Sequence, residues 1–294
     1  MIEGLNLQAL ALPIFAILIL CEVFWSGWRR LQAYAIEDFL GSMSQLAGNI
    51  IVQLIARGSI LGFYYWLYQF RPITIGTDLL ELALLAGAID FVFYWYHRAS
   101  HRIRFLWAIH VAHHSSEHMN FGTALRQSWF GPLSKPLFYW PLPLIGFDPL
   151  ATMAVGAMLT IYGFWTHTEQ IRRIGFLEHI FVSPAHHRVH HGSNDIYIDK
   201  NYANFLIVWD KLFGTFQDEV ETVRYGLTRN LKSYNPFIIA CHEWISLVRD
   251  LAAANSLGAM WTAVFGAPEN SAEIQSSRSE LGQHTSQSET KCDP

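Results

Sequence analysis

The sequence has few charged residues and few cysteines for its length. Charged side chains make up 15% of the 294 residues, whereas hydrophobic side chains make up 51%, which is too apolar for the surface of an ordinary soluble protein. The three cysteines, Cys21, Cys241 and Cys292, form neither a disulfide framework nor a Cys-x-x-Cys metal site. A membrane protein is therefore the predicted class.

Several motifs that would indicate other functions are also missing. The formal net charge is -4, and no basic stripe is interleaved with aromatic residues, so nucleic acid is not an expected partner. The His-Glu-x-x-His motif of zinc proteases is absent, and so are the Glu-x-x-His pairs of soluble di-iron bundles. If the chain binds metal, it must do so with another ligand pattern.

Apolar runs in the sequence predict about four membrane spans. Residues 5–25, 46–70 and 79–96 are long enough to cross roughly 30 Å of hydrocarbon, although the second run contains Arg57 and is the weakest candidate. Residues 129–147 and Pro149–Trp165 resemble a helical hairpin in the membrane, with prolines that make its first arm irregular.

These runs predict an all-α membrane bundle with a cytoplasmic helical cap that holds a histidine-rich dinuclear metal site. The expected parts of the chain are N-terminal spans over 1–78, a catalytic domain with the third span and the hairpin over 79–235, amphipathic helices over 236–266 and a disordered tail over 267–294.

Histidine is the residue type that is concentrated. Twelve of the 14 histidines lie between His97 and His191, and the pattern His-x-x-His-His occurs twice there. Imidazole is the commonest neutral ligand for transition metals, and residues at i, i+3 and i+4 share one face of a helix. Nine histidines are predicted to be metal ligands: His97, His101, His110, His113, His114, His167, His187, His190 and His191.

Nine imidazoles exceed what one ion normally binds, whereas two ions with four or five ligands each keep room for an exogenous oxygen ligand. We therefore expect a dinuclear site. His186 is left open between a tenth ligand and a residue that supports the ligands. Tetrahedral zinc is an alternative to an oxygen-activating iron pair. The acids near the motifs that could orient imidazoles are Asp90, Glu117, Glu169, Asp195 and Asp199.

Span parity provides a separate argument about the site. With the N-terminus outside, three spans and a hairpin bring all clustered histidines to the inner side, and most of the arginines fall there, with Arg71 outside. This agrees with the positive-inside rule. A cytoplasmic metal site is expected, in a bacterial inner membrane or the endoplasmic reticulum. A metal transporter or a haem protein is a remote alternative, because the histidines lie beyond the span ends.

The histidine pattern also resembles a known family. The segments 97–101, 110–114 and 187–191 look like the three histidine boxes of the fatty acid hydroxylase and sterol desaturase superfamily, which are membrane di-iron enzymes. Within it, segments 115–117, 123–128, 167–169, 186–192, 199–203 and 209–216 are most similar to the alkylglycerol monooxygenases.

The resemblance implies O2-dependent hydroxylation of a lipid alkyl chain at two iron ions. It also implies an external electron donor, which could be tetrahydrobiopterin or another reduced pterin, a ferredoxin or a cytochrome. Ether-lipid cleavage is one form of this activity, and a lipid or sterol desaturase with the same centre is the alternative. The sequence does not separate hydroxylation from desaturation.

Overall fold

The computed structural model describes residues 7–268, and helices make up their regular secondary structure. Two isolated bridging pairs occur, Phe181 with Leu206 and Gly192 with Tyr225, but residues 7–268 contain no strand. The all-α prediction is confirmed. The predicted disordered tail lies, apart from residues 267 and 268, outside the described part of the chain.

Three helices are long and apolar enough to cross a membrane. They are α1 (Leu7–Arg29), α2 (Ile36–Tyr68) and α3 (Leu79–Arg102). Their large apolar side chains face outward, and Ile55 of α2 is 77% exposed. Apolar surface of this extent suits lipid. The chain is an integral membrane protein, and the doubtful second span is a continuous helix of 33 residues.

Two shorter helices follow the third span: α4 (Arg104–His114) and α5 (Phe121–Ala124). Ile103 separates α3 from α4, and its extended backbone, with φ -120° and ψ 117°, ends one helix and begins the next. Because only one residue separates the helices, the histidines at the end of α3 and those of α4 are held close to each other.

The predicted hairpin has one broken arm and one continuous arm. The first arm consists of α6 (Gly131–Ser134), α7 (Pro136–Tyr139) and α8 (Pro141–Ile145), each with a proline in its first two positions. Proline has no N–H to donate and starts a helix more readily than it continues one, so each proline begins a new short helix. The second arm is α9 (Pro149–Trp165).

The turn between these arms requires glycine. Gly146 has φ +130°, and a Cβ atom there would lie 2.3 Å from the carbonyl oxygen of Ile73 in the α2–α3 loop. The Ile75 N–H donates to the Gly146 carbonyl at 3.0 Å. The hairpin turn and the α2–α3 loop are thus joined at the end of the bundle away from the histidines.

A cap of short helices and loops covers the histidine end of the bundle. It contains a 3-10 helix (Gly175–His179), α10 (Pro184–His190) and α11 (Val208–Leu212). Buried carboxylates hold its loops: Asp210 accepts the N–H groups of Tyr202 and Ala203, both at 2.8 Å. Asp90 of α3 accepts the N–H groups of Phe205 and Leu206. The cap is therefore hydrogen-bonded directly to the third span.

Two helices follow the cap, α12 (Pro236–Ala252) and α13 (Leu257–Phe265). Both lie within the segment 236–266 that the sequence predicts to form amphipathic helices. Arg104 of α4 is buried and pairs with Glu243 and Asp250 of α12 at 2.8 and 2.7 Å. These ion pairs fix α12 beside the helix that carries the first His-x-x-His-His pattern.

A buried glutamate on α1 links the first span to the cap. Glu22 accepts a hydrogen bond from the Tyr34 hydroxyl at 2.5 Å and one from the Phe121 N–H at 2.8 Å. Its other oxygen accepts the Thr168 hydroxyl, next to His167. The first span is thus hydrogen-bonded to α5 and to the loop after α9.

Candidate metal centre

Four elements bring nine histidines together where the bundle meets the cap. His97 and His101 occupy the last turns of α3, and His167 follows the end of α9. The other six come in two sets, one from α4 and one from α10 and its C-cap: His110, His113 and His114, and His187, His190 and His191. These nine are the residues that the sequence predicts as ligands.

The nine imidazoles divide into a group of five and a group of four. Within each group, one nitrogen of every member lies within 4.8 Å of those of the others. The five-histidine group consists of His97, His101, His110, His114 and His190. The four-histidine group consists of His113, His167, His187 and His191. The two groups adjoin, because the rings of His114 and His191 stack with centroids 4.4 Å apart.

Each His-x-x-His-His pattern supplies both groups. His110 and His114 enter the five-histidine group, whereas His113 enters the four-histidine group. The α10 pattern does the reverse, because His187 and His191 join the group of four and His190 joins the group of five. Within each pattern, the histidines at i and i+4 therefore share one group, whereas the histidine at i+3 belongs to the other group.

Backbone carbonyls orient several of these rings. The Nδ1–H groups of His97 and His167 donate to the carbonyls of Tyr202 at 2.6 Å and Gly163 at 2.8 Å. Those of His113 and His190 donate to Arg126 at 3.2 Å and Lys200 at 3.0 Å. When Nδ1 carries the proton, Nε2 presents a lone pair, as histidine ligands of metals do.

The Nε2 atoms converge at distances that suit a shared ion. His113 and His167 approach through Nε2 atoms 3.3 Å apart, although both rings already donate through Nδ1. In the five-histidine group, the Nε2 atoms of His97 and His110 are 2.9 Å apart. The facing lone pairs of His113 and His167, 3.3 Å apart, repel each other unless a cation lies between them. Adjacent ligands of one ion are separated by about 3 Å when metal–nitrogen bonds are about 2.1 Å, so the donor set fits a metal.

Burial keeps these imidazoles neutral. It lowers the pKa of His167 and of His190 to about 4. The pKa values of His113 and His187 fall well below the ordinary value, first because of burial and then because of the neighbouring His167. Neutral imidazole is the form that binds metal, so both groups are ready to bind ions at neutral pH.

His186 lies outside both groups. The ring Nδ1 of His186 accepts the backbone N–H of Ser183 at 3.3 Å, and the backbone N–H of His186 donates to the Ser183 hydroxyl at 3.4 Å. These two hydrogen bonds form a capping box at the start of α10. Its ring packs against Phe216. This arrangement favours the supporting alternative over the ligand alternative for His186.

The acids suggested as imidazole partners are placed differently from one another. Asp199 lies nearest, with one oxygen 3.9 Å from Nδ1 of His101 and the other paired with Arg102. Asp90 holds the cap, as described above. The remaining three suggested acids are exposed: Glu117, Glu169 and Asp195. Neutral imidazoles thus supply both groups with little direct carboxylate contact.

An ion pair lies beside the four-histidine group. Arg126, whose carbonyl accepts from His113, is buried and pairs with Asp38 of α2 at 2.5 Å. The partner of Arg126 is not evident from the sequence. Glu22 was missed altogether, although a lone acid inside an apolar span is a recognisable signal of a functional or structural role.

Comparison with known proteins agrees with this geometry. The fatty acid hydroxylase family model matches residues 82–215, which contain all nine histidines. Residues 82–215 therefore form a fatty acid hydroxylase domain. This match confirms the predicted resemblance. The matched region begins in α3 and ends just after α11.

Similar proteins include alkylglycerol monooxygenases from several animals. The human protein is 44% identical over 263 residues and the Danio rerio protein 38% identical over 260 residues. These alignments cover 88% and 85% of this chain and 58% of each relative. An ornithine lipid hydroxylase from Rhizobium tropici is 33% identical over 130 residues, 44% of this chain and 39% of that protein. The chain spans somewhat over half the length of the human and Danio rerio relatives, and no solved structure matches it.

Proposed function

We propose that this chain is a membrane-bound, O2-dependent hydroxylase of a lipid alkyl chain that holds two iron ions. The observation that carries the proposal is the division of nine imidazoles, seven of them buried, into adjoining groups of five and four. Imidazole suits iron, and two such ions would supply the oxygen-activating chemistry when bound. The family and the names of the relatives support the reaction type.

We assign the five-histidine group to one ion and the four-histidine group to the other. The cap and the ends of the spans exclude bulk water from both groups, and the carbonyls that accept from Nδ1 keep the rings aimed at the ions. The apolar spans beside the groups provide the medium in which an alkyl chain is soluble. This chain's own contribution is thus to orient imidazoles, to exclude water and to admit lipid.

An ether lipid is a candidate substrate because the relatives with the highest identity quoted above are named alkylglycerol monooxygenases. Hydroxylation needs two electrons per O2, one oxygen atom entering the product and the other leaving as water. We propose an external donor, which would be a reduced pterin, a ferredoxin or a cytochrome. We also propose that the metal groups face the cytoplasm, as the exposed Arg29 and Arg102 at that end of the bundle suggest.

Lipid mass spectrometry of cells with and without the gene tests the activity. A gain of one oxygen atom in a lipid supports hydroxylation, and a gene-dependent loss of ether lipids supports ether cleavage. A loss of two hydrogens without added oxygen would indicate a desaturase instead. Cells that express a His113→Ala variant serve as the matched control, because this change removes one imidazole from the four-histidine group.

A further inference from the structure

An ammonium group without a partner lies beside the histidine groups. Lys135 joins α6 to α7, and its side chain is half-buried. The nitrogen lies 5.9 Å from the centroid of the Phe93 ring. Within residues 7–268, neither a carboxylate nor a hydrogen-bond acceptor pairs with it.

The position of Lys135 relative to the metal groups follows from α3. Phe93 precedes His97 by four residues, one helical turn further into the span, and the two rings pack with centroids 5.1 Å apart. The ammonium over Phe93 therefore lies on the membrane side of the five-histidine group.

Neighbouring residues hold this lysine against α3. The hydroxyls of Ser134 and Tyr96 are hydrogen-bonded at 2.8 Å, and the ring of Phe138 packs on that of Tyr96 with centroids 5.0 Å apart. These contacts flank Lys135 on both sides in the sequence. The ammonium is therefore placed by the fold of the broken hairpin arm.

An ionisable side chain at membrane depth is costly unless it serves a function, and its partner has to be identified. Imidazoles carry no negative charge, and the face of Phe93 compensates an ammonium only in part. The missing partner is an oxygen acceptor. Since Lys135 lies where an alkyl chain would approach the histidines from the membrane, the ligand itself can bring that oxygen.

We propose that Lys135 binds the oxygen-bearing end of the lipid substrate and so positions the adjoining carbons at the histidine groups. The proposal rests on the proposed function for the identity of the ligand as a substrate. The ammonium lies 5.9 Å from the centroid of the Phe93 ring, which lies 5.1 Å from that of His97. The carbon that is oxidised is therefore expected within a short stretch of alkyl chain from the oxygen. An ether oxygen and a carboxylate share this acceptor chemistry.

Equilibrium binding to metal-free protein in nanodiscs tests the assignment with three probes of equal chain length: hexadecylglycerol, hexadecanoic acid and hexadecane. We expect Lys135→Met to weaken binding of an oxygen-bearing probe about tenfold or more, the usual loss for a charged hydrogen bond. Hexadecane should bind Lys135→Met as it binds the unchanged protein. The affected probe identifies the ether or the carboxylate as the ligand.

Two variants sharpen the result. Lys135→Arg keeps a donor and should restore most of the affinity, whereas Lys211→Met, a change at an exposed lysine of the cap, should bind all three probes normally. Equal binding of every probe to Lys135→Met and to the unchanged protein would overturn the proposal. Because neither metal nor turnover enters the measurement, absence of hydroxylation would count against the proposed function and leave this result standing.

Discussion

His113 and His114 are neighbours in the chain, yet their imidazoles belong to different histidine groups. Their ring planes are 84° apart and their centroids 5.5 Å apart. Successive residues of an α-helix are rotated by about 100°, so adjacent side chains can face two different points. A substitution at either position therefore removes a ligand from one group and leaves the other group complete.

We expect His113→Ala to lower the metal content of the purified protein from two ions per chain to one. The four-histidine group would keep only three imidazoles, whereas the five-histidine group would be unchanged. Metal analysis of protein purified without chelators measures this, and lipid hydroxylation should be lost as well. His179→Ala, at an exposed residue outside both groups, should retain both ions. Two ions and full turnover in His113→Ala would remove His113 from the site.

His186→Ala should reduce stability without changing metal content. The substitution removes the side chain that accepts the Ser183 N–H in the capping box, and losses of this kind cost about 1 kcal/mol. A lower thermal midpoint together with unchanged metal content is the expected result. His187→Ala is the comparison, because it should lose metal. A loss of metal in His186→Ala equal to that in His187→Ala would make His186 a ligand.

Arg126→Met should destabilise the protein strongly. The change leaves the buried Asp38 carboxylate without its cation, and breaking a buried pair in this way typically costs about 3–5 kcal/mol. The double variant with Asp38→Asn removes the stranded charge and should recover part of the loss. Thermal midpoints of the three proteins in detergent measure both effects. If the double variant were less stable than Arg126→Met, the stranded charge would not be the cause.

Stability of the metal-free protein should fall as the pH decreases from about 6.5 to about 4. The pKa values of His167 and His190 are about 4 in the fold, whereas an unfolded imidazole has a pKa of about 6.5. The unfolded state therefore binds more protons in this interval, so unfolding becomes easier as pH falls. Over this interval, each of the two imidazoles lowers the free energy of unfolding by an amount on the order of 3 kcal/mol. A thermal midpoint that stays constant from pH 7 to pH 4.5 would contradict this.

Cysteine labelling tests which side of the membrane the metal groups face. After the native cysteines are replaced by serine, Glu117→Cys should react with an impermeant reagent only from the cytoplasm, because Glu117 is an exposed residue at the histidine end. Thr77→Cys, exposed in the α2–α3 loop, should react only from the opposite side. Reversed labelling of the two positions would invert the proposed orientation.

Sequence spacing was sufficient to predict which histidines assemble but insufficient to predict how they divide. His114 follows His110 by four residues, so the two side chains point within about 40° of each other around the axis of α4. His113 follows His110 by three residues and points about 60° away on the opposite side. Which rings meet then depends on how α3, α4 and α10 pack. That packing is set by distant contacts such as Arg104 with Glu243, which local patterns do not contain.

The membrane part was predictable to a similar degree. Long apolar runs identify the three spans because length and hydropathy are local properties. The arm over 129–147 was expected to be irregular, but its division into three short helices depends on Pro132, Pro136 and Pro141 together. The role of Glu22 was not predicted because its hydrogen-bond partners, Phe121 and Thr168, are about 100 and 146 positions away in the chain.

The hydrogen bonds of Glu22 also determine whether another membrane helix could replace α1. A generic anchor needs only length and hydropathy, so one such helix can usually replace another. Here the replacement would have to present a carboxylate at one depth and one angle, or the loop that carries His167 would lose its attachment to the first span. Chimeras that join a foreign leading helix to residues 36–268 would therefore be expected to insert normally and yet assemble a defective centre.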